Sequence, residues 1–297
     1  MPVLSYFKDQ EDERDFRYFL SEITSGTKVD GKLSRKLRKR LRKKFKRDTK
    51  MQASNVIDYR KFLSPVKDQG NMGSCVGFAV TALKEFQENV EYQSEREAGS
   101  NYKRENPTYD LSEQWTYWNS KKIDPWGPSV EGTSIRYALK VLHKIGCPPE
   151  KAWKYTDNKI DIGKPESWSH MIARWNTIDS YWRIKTPDIY QLLSALKNTG
   201  PVVIGVGCYE EIFRPEKDGF VPYPKQPRYC YGGHAILACG YDINKKRILF
   251  KNSWGTGWGK DGYGWFGFDY ITDFCWDAWA VKDVSVTKAM LEGRITL

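Results

Sequence analysis

The texture of the sequence changes near Pro201, and this change constrains the fold more than any other feature. Before Pro201, apolar residues recur with a helical period in the segments VGFAVTALKEFQENVEY, SIRYALKVLHKIG and IYQLLSALKNTG. Beyond Pro201 they form short β-rich runs, VVIGVG, HAILACGYD, RILFKNSW and YGWFGF, which are separated by glycine, Asp-Gly and asparagine. A helix-rich first part and a strand-rich second part predict an α+β protein with two lobes.

Composition places the chain among globular proteins and excludes several classes. Its 297 residues, 40% of them apolar, are enough to bury a sizeable core. No stretch approaches the roughly 18 apolar residues of a membrane span, and the N-terminus lacks the apolar region of a secretory signal peptide. Six scattered cysteines without a CxxC pair predict neither a disulfide scaffold nor a zinc site. We therefore expect an intracellular protein with reduced thiols.

All of the excess positive charge lies in one segment near the N-terminus. The formal net charge is +11, and residues 32–50, KLSRKLRKRLRKKFKRDTK, hold twelve lysines and arginines against one acid, Asp48. The remainder of the chain is therefore neutral. The apolar residues of this segment recur at every fourth position, which predicts a basic amphipathic helix: Leu33, Leu37, Leu41 and Phe45. Such a helix can be a solvated face, a tether to nucleic acid or another polyanion, or a membrane-surface helix.

Three residues form a candidate catalytic set. Cys75 follows the glycine-rich turn QGNMGS and begins the first predicted helix, whose N-terminus favours the reactive thiolate. His234 lies in YGGHAILACGYD, where a glycine-rich turn opens an apolar strand, and Asn252 begins NSWGTGWG. An asparagine oxygen can accept a hydrogen bond from one ring nitrogen of a histidine and leave the other nitrogen for a thiol. The pattern predicts a cysteine nucleophile with a histidine base.

These blocks resemble the landmarks of the papain-like (C1 family) cysteine peptidases over roughly residues 54–284. VKDQGNMGSCVGFA resembles the family's stretch with the oxyanion-hole glutamine and the nucleophile, which are Gln69 and Cys75 here. EGTSIRYAL resembles the glycine-rich substrate-binding edge at Gly132, and KNSWGTGWG resembles the asparagine block. The resemblance implies that Trp254 covers the Asn–His hydrogen bond and that Gly233 leaves one side of the main specificity pocket without a side chain.

The sequence also departs from the family pattern. The family signature is C-G-[SA]-C-[WY], whereas this chain has Met72 in place of the first cysteine and Val76 in place of the aromatic residue. The loss of a cysteine at position 72 removes one disulfide of the secreted relatives. Cys230 and Cys275 resemble another family pair, so a disulfide between these two cysteines stays an alternative. These departures are typical of a divergent, microbial or viral, cytoplasmic branch.

The resemblance implies a two-lobed papain-like α+β fold with the active site in the cleft. The helical lobe then carries Cys75, and the β-rich lobe carries His234 and Asn252. The implied activity is that of a cysteine endopeptidase acting on polypeptides through a thioester acyl-enzyme. The Gln69 side chain and the Cys75 N–H hold the oxyanion in this scheme, and neither a metal nor an organic cofactor is implied.

The same resemblance divides the chain into three parts. Residues 53–284 form the peptidase domain, and residues 285–297 form a C-terminal tail. Residues 1–52 form an N-terminal extension, either a propeptide or a tether. For the basic run we favour tethering over occlusion of the cleft, because its narrow apolar stripe offers few anchors for filling a cleft.

Two other classes of function stay open. The fold can serve as a catalytically silent interaction or structural module that its basic arm docks onto an assembly. Alternatively, the same Cys/His pair can catalyse acyl transfer, as in a transpeptidase or a deamidase. Hydrolysis and transfer differ in whether water or an amine reaches the acyl-enzyme, and that difference leaves no mark in these motifs.

Overall fold

We describe the chain from a computed structural model. The described residues are 3–10, 12, 55–97, 109–185 and 188–282. The basic run at residues 32–50 and the C-terminal tail at residues 285–297 lie outside this part of the chain. The amphipathic helix expected at residues 32–50, and its binding to a polyanion, therefore stay predictions.

The helical lobe consists mainly of three helices, which are α1 (Cys75–Glu97), α2 (Glu113–Ile123) and α3 (Ile135–Lys144). Every residue from 72 to 90 is buried, because α1 is enclosed by the other helices on one side and by the sheet on the other. The side chain of Ser112 caps α2 by accepting the Trp115 N–H. Gly146, with φ of +72°, follows the end of α3 and donates to two of its last carbonyl groups.

The second lobe is built on one mixed sheet. Its strands are β1 (Val56–Asp58), β2 (Ser180–Ile184), β3 (Val202–Cys208), β4 (Phe220–Val221), β5 (Gly232–Asp242), β6 (Arg247–Lys251), β7 (Tyr263–Gly267) and β8 (Cys275–Lys282). Their order is β2-β8-β3-β5-β6-β7-β4, and β1 pairs with β5. All pairs are antiparallel except β4 with β7. The central strands β3 and β5 are apolar along almost their whole length because both faces of the sheet are covered.

Three further α-helices follow along the chain: α4 (Ser169–Ala173), α5 (Ile189–Thr199) and α6 (Phe268–Phe274). Asp188 starts α5 by accepting the N–H groups of Tyr190 and Gln191. The three helical segments and the four strand segments expected from the apolar pattern are all present. The helix and strand periods therefore located most of the framework correctly.

A β-bulge lies where β3 meets β8. Gly205 pairs with Asp277, whereas the next residue, Val206, pairs with Cys275, so Trp276 is the extra residue. The regular register of β3 with β8 ends at this bulge, and its last pair sets Asp277 opposite Gly205.

All six cysteines carry free thiols. Cys230 is exposed and Cys275 is buried, so the bridge that the family resemblance left open is not formed in this structure. None of the helices among the described residues is both long and apolar enough to cross a bilayer.

Gly146 and Gly127 form a matched pair for testing the end of α3, because both adopt φ of +72°. A Cβ at Gly146 would lie 1.9 Å from the Ala173 carbonyl oxygen, whereas nothing lies within 4 Å at Gly127. We expect Gly127→Ala to lower the free energy of unfolding by about 1–2 kcal/mol, the cost of left-handed backbone. Gly146→Ala should cost a further 1–3 kcal/mol, roughly, through overpacking. Denaturant unfolding measures both, and equal losses would contradict the steric explanation.

Candidate active site

Cys75 is the first residue of α1 and is completely buried. The backbone N–H groups of Ala235, Val76 and Ser5 lie close enough to its sulfur to stabilise a thiolate by hydrogen bonding, which lowers the thiol pKa. Burial nevertheless raises the pKa of the Cys75 thiol to about 11, because these hydrogen bonds offset only part of the lost hydration. Ala235 follows His234 on β5, so the thiol lies beside the backbone of the candidate base.

His234 is held in one tautomer by Asn252. Its Nε2 lies 2.8 Å from Asn252 Oδ1, which also accepts the Ser253 N–H at 2.8 Å. An oxygen that already accepts from a backbone amide is identified as the carbonyl oxygen, so His234 Nε2 is the donor. His234 Nδ1 is therefore the unprotonated nitrogen, and it is buried without a hydrogen-bond partner.

Trp254 packs its indole on the His234 ring, with the centroids 4.6 Å apart and the planes at 27°. Phe213 in turn stacks on the Trp254 indole, with the ring centroids 5.8 Å apart. The indole thus shields the imidazole and its hydrogen bond to Asn252 from water. Burial lowers the pKa of His234 to about 4, and the hydrogen bond to Asn252 opposes this shift.

The Cys75–His234 pair is neutral in this arrangement. A thiol with a pKa of about 11 and an imidazole with a pKa of about 4 leave the proton on sulfur at neutral pH. A thiol is a weak nucleophile compared with a thiolate. The structure therefore represents a resting state, and burial is its cause.

Gln69 is buried, and Ser253 fixes the orientation of its amide. Ser253 Oγ donates to Gln69 Oε1 at 2.7 Å, so Nε2 is turned toward the cleft. Gln69 Nε2 donates to the Met72 carbonyl at 2.9 Å and reaches the Val3 carbonyl oxygen at 3.4 Å. It therefore already holds a peptide carbonyl oxygen. Sequence reasoning did not identify Ser253, although it directly follows Asn252.

Residues 3–10, which we call the strap, lie across the cleft. The Tyr6 N–H donates to the Gly233 carbonyl at 3.0 Å, and the Phe7 N–H donates to the Thr133 carbonyl at 3.1 Å. Gly233 belongs to the β-rich lobe, whereas Thr133 precedes α3 in the helical lobe. The strap thus binds both lobes at once and covers the thiol between them.

Three glycines leave room for the strap. A Cβ would lie 1.8 Å from Ser5 Oγ at Gly73, 1.6 Å from the Ser5 carbonyl oxygen at Gly132, and 2.5 Å from the Tyr6 carbonyl oxygen at Gly233. Gly132 and Gly233 were expected to contact substrate, and here both contact the strap backbone. Their missing side chains let a peptide approach this closely.

Asp9 anchors the far end of the strap. It is 4% exposed, and its carboxylate accepts the Ser134 hydroxyl and the Arg136 N–H, the latter at 3.1 Å. Arg183 donates to the Asp9 carbonyl at 2.9 Å and to the Gln10 carbonyl at 3.1 Å. These bonds satisfy most of the polar groups that the strap buries.

The contacts that the strap makes with the thiol and with Gln69 fall on different peptide groups. Hydrolysis needs one carbonyl group with its carbon at the thiol and its oxygen at the oxyanion donors. Here the N–H near the sulfur belongs to Ser5, while the carbonyl near Gln69 belongs to Val3.

Sequence reasoning missed the strap, because its residues, VLSYFKDQ, show no helix or strand period. The only local signal is the aromatic pair Tyr6-Phe7, followed by Asp9. The chain also gives no motif for Gly205 or Asp277, which meet through strand pairing.

The chain matches a family of known proteins over most of its length. Residues 53–271 match the family described as "Papain family cysteine protease". An uncharacterized peptidase C1-like protein of Acanthamoeba polyphaga mimivirus is 28% identical over 229 residues, covering 73% of this chain and 70% of that protein. Cysteine proteinase 1 of Entamoeba histolytica is 26% identical over 218 residues, covering 72% of this chain and 63% of that protein. The chain thus spans less than two thirds of that relative.

Solved structures show the same fold. Xylellain, a cysteine protease from Xylella fastidiosa, superposes with a TM-score of 0.70 at 27% identity, covering 95% of this chain and 96% of that one. Digestive procathepsin L 3 of Tenebrio molitor superposes with a TM-score of 0.58 at 23% identity, covering 79% of this chain and 72% of that one. The two-lobed papain-like α+β fold expected from the sequence is therefore confirmed.

We expect the Cys75–His234 pair to stay neutral from about pH 5 to about pH 9 while the strap is in place. A raised thiol pKa delays thiolate formation on going up in pH, and a lowered imidazole pKa delays protonation on going down. Thiolate ultraviolet absorbance, as a difference from Cys75→Ala, and the NMR titration of the His234 ring measure the two groups. A thiolate signal already present at pH 7 would contradict the neutral resting state.

Proposed function

Because the chain belongs to the papain family of cysteine proteases, we propose that it is an endopeptidase that cleaves polypeptides through a thioester on Cys75. In this scheme His234 Nδ1 takes the thiol proton, and the sulfur attacks the substrate carbonyl carbon. Gln69 Nε2 and the Cys75 N–H donate to the oxyanion. The protonated His234 then gives its proton to the leaving amine, which leaves a thioester on Cys75.

The second half of the reaction returns the enzyme to its starting form. His234 takes a proton from water, the hydroxide attacks the thioester carbonyl, and the acid product leaves as the sulfur regains its proton. Asn252 keeps Nε2–H occupied throughout, so the same Nδ1 acts in both halves. No step requires a metal or an organic cofactor.

One observation carries the proposal. His234 offers an unprotonated Nδ1 with no hydrogen-bond partner, on the residue next to the one whose N–H meets the Cys75 sulfur. A buried ring nitrogen without a partner lowers the stability of the fold, so its presence calls for a functional explanation. Proton transfer from the thiol is the purpose that this arrangement supports best.

An epoxide-type cysteine-peptidase inhibitor tests the nucleophile, with an unstructured protein such as casein as substrate. We expect the inhibitor to add one equivalent to Cys75 and to abolish proteolysis, because the activated thiolate opens the epoxide. Cys75→Ala should remove both signals, while Cys239→Ala, a change at another buried thiol, should leave them in place.

The same experiment separates the other two classes. A catalytically silent module gives neither labelling nor proteolysis. An acyl-transfer enzyme is labelled, but its product carries the added amine and not water, which mass spectrometry of products made with and without an amine acceptor resolves.

We further propose that the strap holds the peptidase inactive until it is displaced. It covers the thiol and occupies the groove beside His234, and its contacts with the thiol and with Gln69 fall on different peptide groups. This role belongs to residues 3–10, within the N-terminal extension expected at residues 1–52, and not to the basic run. The extension would thus act as a propeptide at its beginning, and residues 32–50 remain our candidate for a polyanion tether.

Tyr6→Ala tests the inhibitory strap in the full chain. Removing a fully buried aromatic ring weakens the strap by on the order of 3 kcal/mol, so we expect peptide turnover and epoxide labelling to rise at least about tenfold. Lys8→Ala is the matched control, because Lys8 lies on the same segment with an exposed side chain. Equal rates for Tyr6→Ala and the unchanged chain would rule out inhibition by the strap.

We place this activity where thiols stay reduced. All six cysteines are unpaired, and an oxidised Cys75 could not act as nucleophile. A mimivirus relative supports the expected microbial or viral origin, and an intracellular location is the proposal that agrees with these features.

A further inference from the structure

We propose that the pocket now filled by Tyr6 selects a tyrosine side chain in the substrate, with Asp277 recognising the phenolic hydroxyl. This inference rests on the peptidase function proposed above and adds the kind of residue that the cleft prefers. The pocket belongs to the folded domain and is lined by Gly205, Gly233, Trp276 and Asp277. It is therefore open to any peptide once the strap has left.

The shape of the pocket matches an aromatic ring. A Cβ at Gly205 would lie 2.2 Å from Tyr6 Cε1, and the nearest three atoms that it would meet all belong to Tyr6. At Gly233 a Cβ would lie 3.0 Å from Tyr6 Cδ1. The Trp276 ring packs 6.2 Å from the Tyr6 ring, nearly parallel to it. Two missing side chains and one indole wall thus make a slot that leaves Tyr6 only 3% exposed.

The floor of the pocket carries a hydrogen-bond acceptor. Asp277 is completely buried, and its Oδ2 accepts the Tyr6 hydroxyl and, at 2.7 Å, the Asp9 N–H. Its Oδ1 accepts from the Arg183 guanidinium. When the strap leaves, Oδ2 loses both strap donors, while the bond to Arg183 within the domain persists.

A buried carboxylate oxygen that has lost its donors favours a substrate that supplies one. With the strap in place, burial and the nearby Asp9 raise the pKa of Asp277 to about 6, and Arg183, which belongs to the domain, lowers it. A phenol offers an O–H at this depth, whereas a phenylalanine ring fills the same slot without a donor. Sites built to bond a substrate hydroxyl discriminate against the analogue that lacks it.

A cationic side chain fits this floor less well. Arg183 already neutralises Asp277, and its guanidinium also lies 5.6 Å from the centre of the Trp279 ring, with Arg136 5.4 Å from the same ring. A lysine or arginine from the substrate would meet this positive charge. The pocket therefore suits a neutral donor.

The test uses full-length Tyr6→Ala protein, whose pocket is empty, and internally quenched peptides that differ at one position. Tyrosine, phenylalanine or lysine is placed in turn at each position on the amino side of the cleaved bond. We expect kcat/KM to be roughly 10- to 100-fold higher for tyrosine than for phenylalanine at one position, the value of a hydrogen bond to a charged group. Lysine should fall below both.

Two further changes in the same background locate the preference. Gly205→Ala should lower kcat/KM for both aromatic peptides at that position, because its Cβ enters the space of the ring, while the exposed Gly257→Ala serves as control. Asp277→Asn should reduce the ratio of tyrosine to phenylalanine about tenfold. A purely structural role of Asp277 would lower both rates equally and leave the ratio unchanged.

The outcomes separate this inference from the proposed function. Equal rates for tyrosine and phenylalanine, or a preference for lysine, would overturn the tyrosine pocket while proteolysis and epoxide labelling uphold the peptidase. An absence of both turnover and labelling would overturn the two together. If Asp277→Asn fails to fold, the tyrosine-to-phenylalanine ratio and Gly205→Ala still decide the matter.

Discussion

The hydrogen bond from His234 Nε2 to Asn252 Oδ1 determines the rest of the site, because it decides which ring nitrogen remains for the thiol. Ser253 extends this control to the oxyanion donor. Its N–H binds Asn252 Oδ1, its hydroxyl binds Gln69 Oε1, and its carbonyl accepts the Gln69 N–H at 2.8 Å. Ser253, the second residue after β6, therefore links the His234 base on the sheet with the Gln69 amide, which precedes α1. The base and the oxyanion donor come from different lobes, and Ser253 makes hydrogen bonds on both sides.

Burial both orders the side chains of the site and disfavours the charged form of the Cys75–His234 pair. The cover of Trp254 protects the His234 hydrogen bond, and the strap excludes water from Cys75, yet each disfavours the ion pair that catalysis needs. Hydration must therefore return to the sulfur before the proton moves to His234. In the proposed scheme, displacing the strap opens the groove for substrate and changes the protonation state of the Cys75–His234 pair in the same event.

The sequence anticipated the parts of the molecule that rest on local patterns. The apolar periods located α1, α3, α5 and the strands β3, β5, β6 and β7, because each segment buries a face that its own residues define. The catalytic set was also accessible, since Cys75, His234 and Asn252 each lie in a distinctive glycine-rich block. Their assembly is seen here, while their roles stay proposals.

The parts that sequence reasoning did not find depend on contacts between distant segments. The role of Tyr6 depends on Gly205 and Asp277, which face each other through the register in which β3 pairs with β8. Strand register is not visible in a single sequence where both faces of the strand are buried. The strap shows no helix or strand period, because its backbone donates hydrogen bonds to residues of the cleft.

The strap is also part of the same polypeptide as the domain that it covers, and this sets how it competes. A tethered segment returns to its site by a unimolecular step, so dilution does not release it. A separate peptide of the same sequence would have to match the effective concentration that this covalent tether gives the strap. A dissolved substrate competes with the strap at this same effective concentration, whatever the concentration of the enzyme. Lasting relief of the proposed inhibition then requires a cut in the chain between Gln10 and the domain, since the strap can leave permanently only when it is no longer covalently tethered.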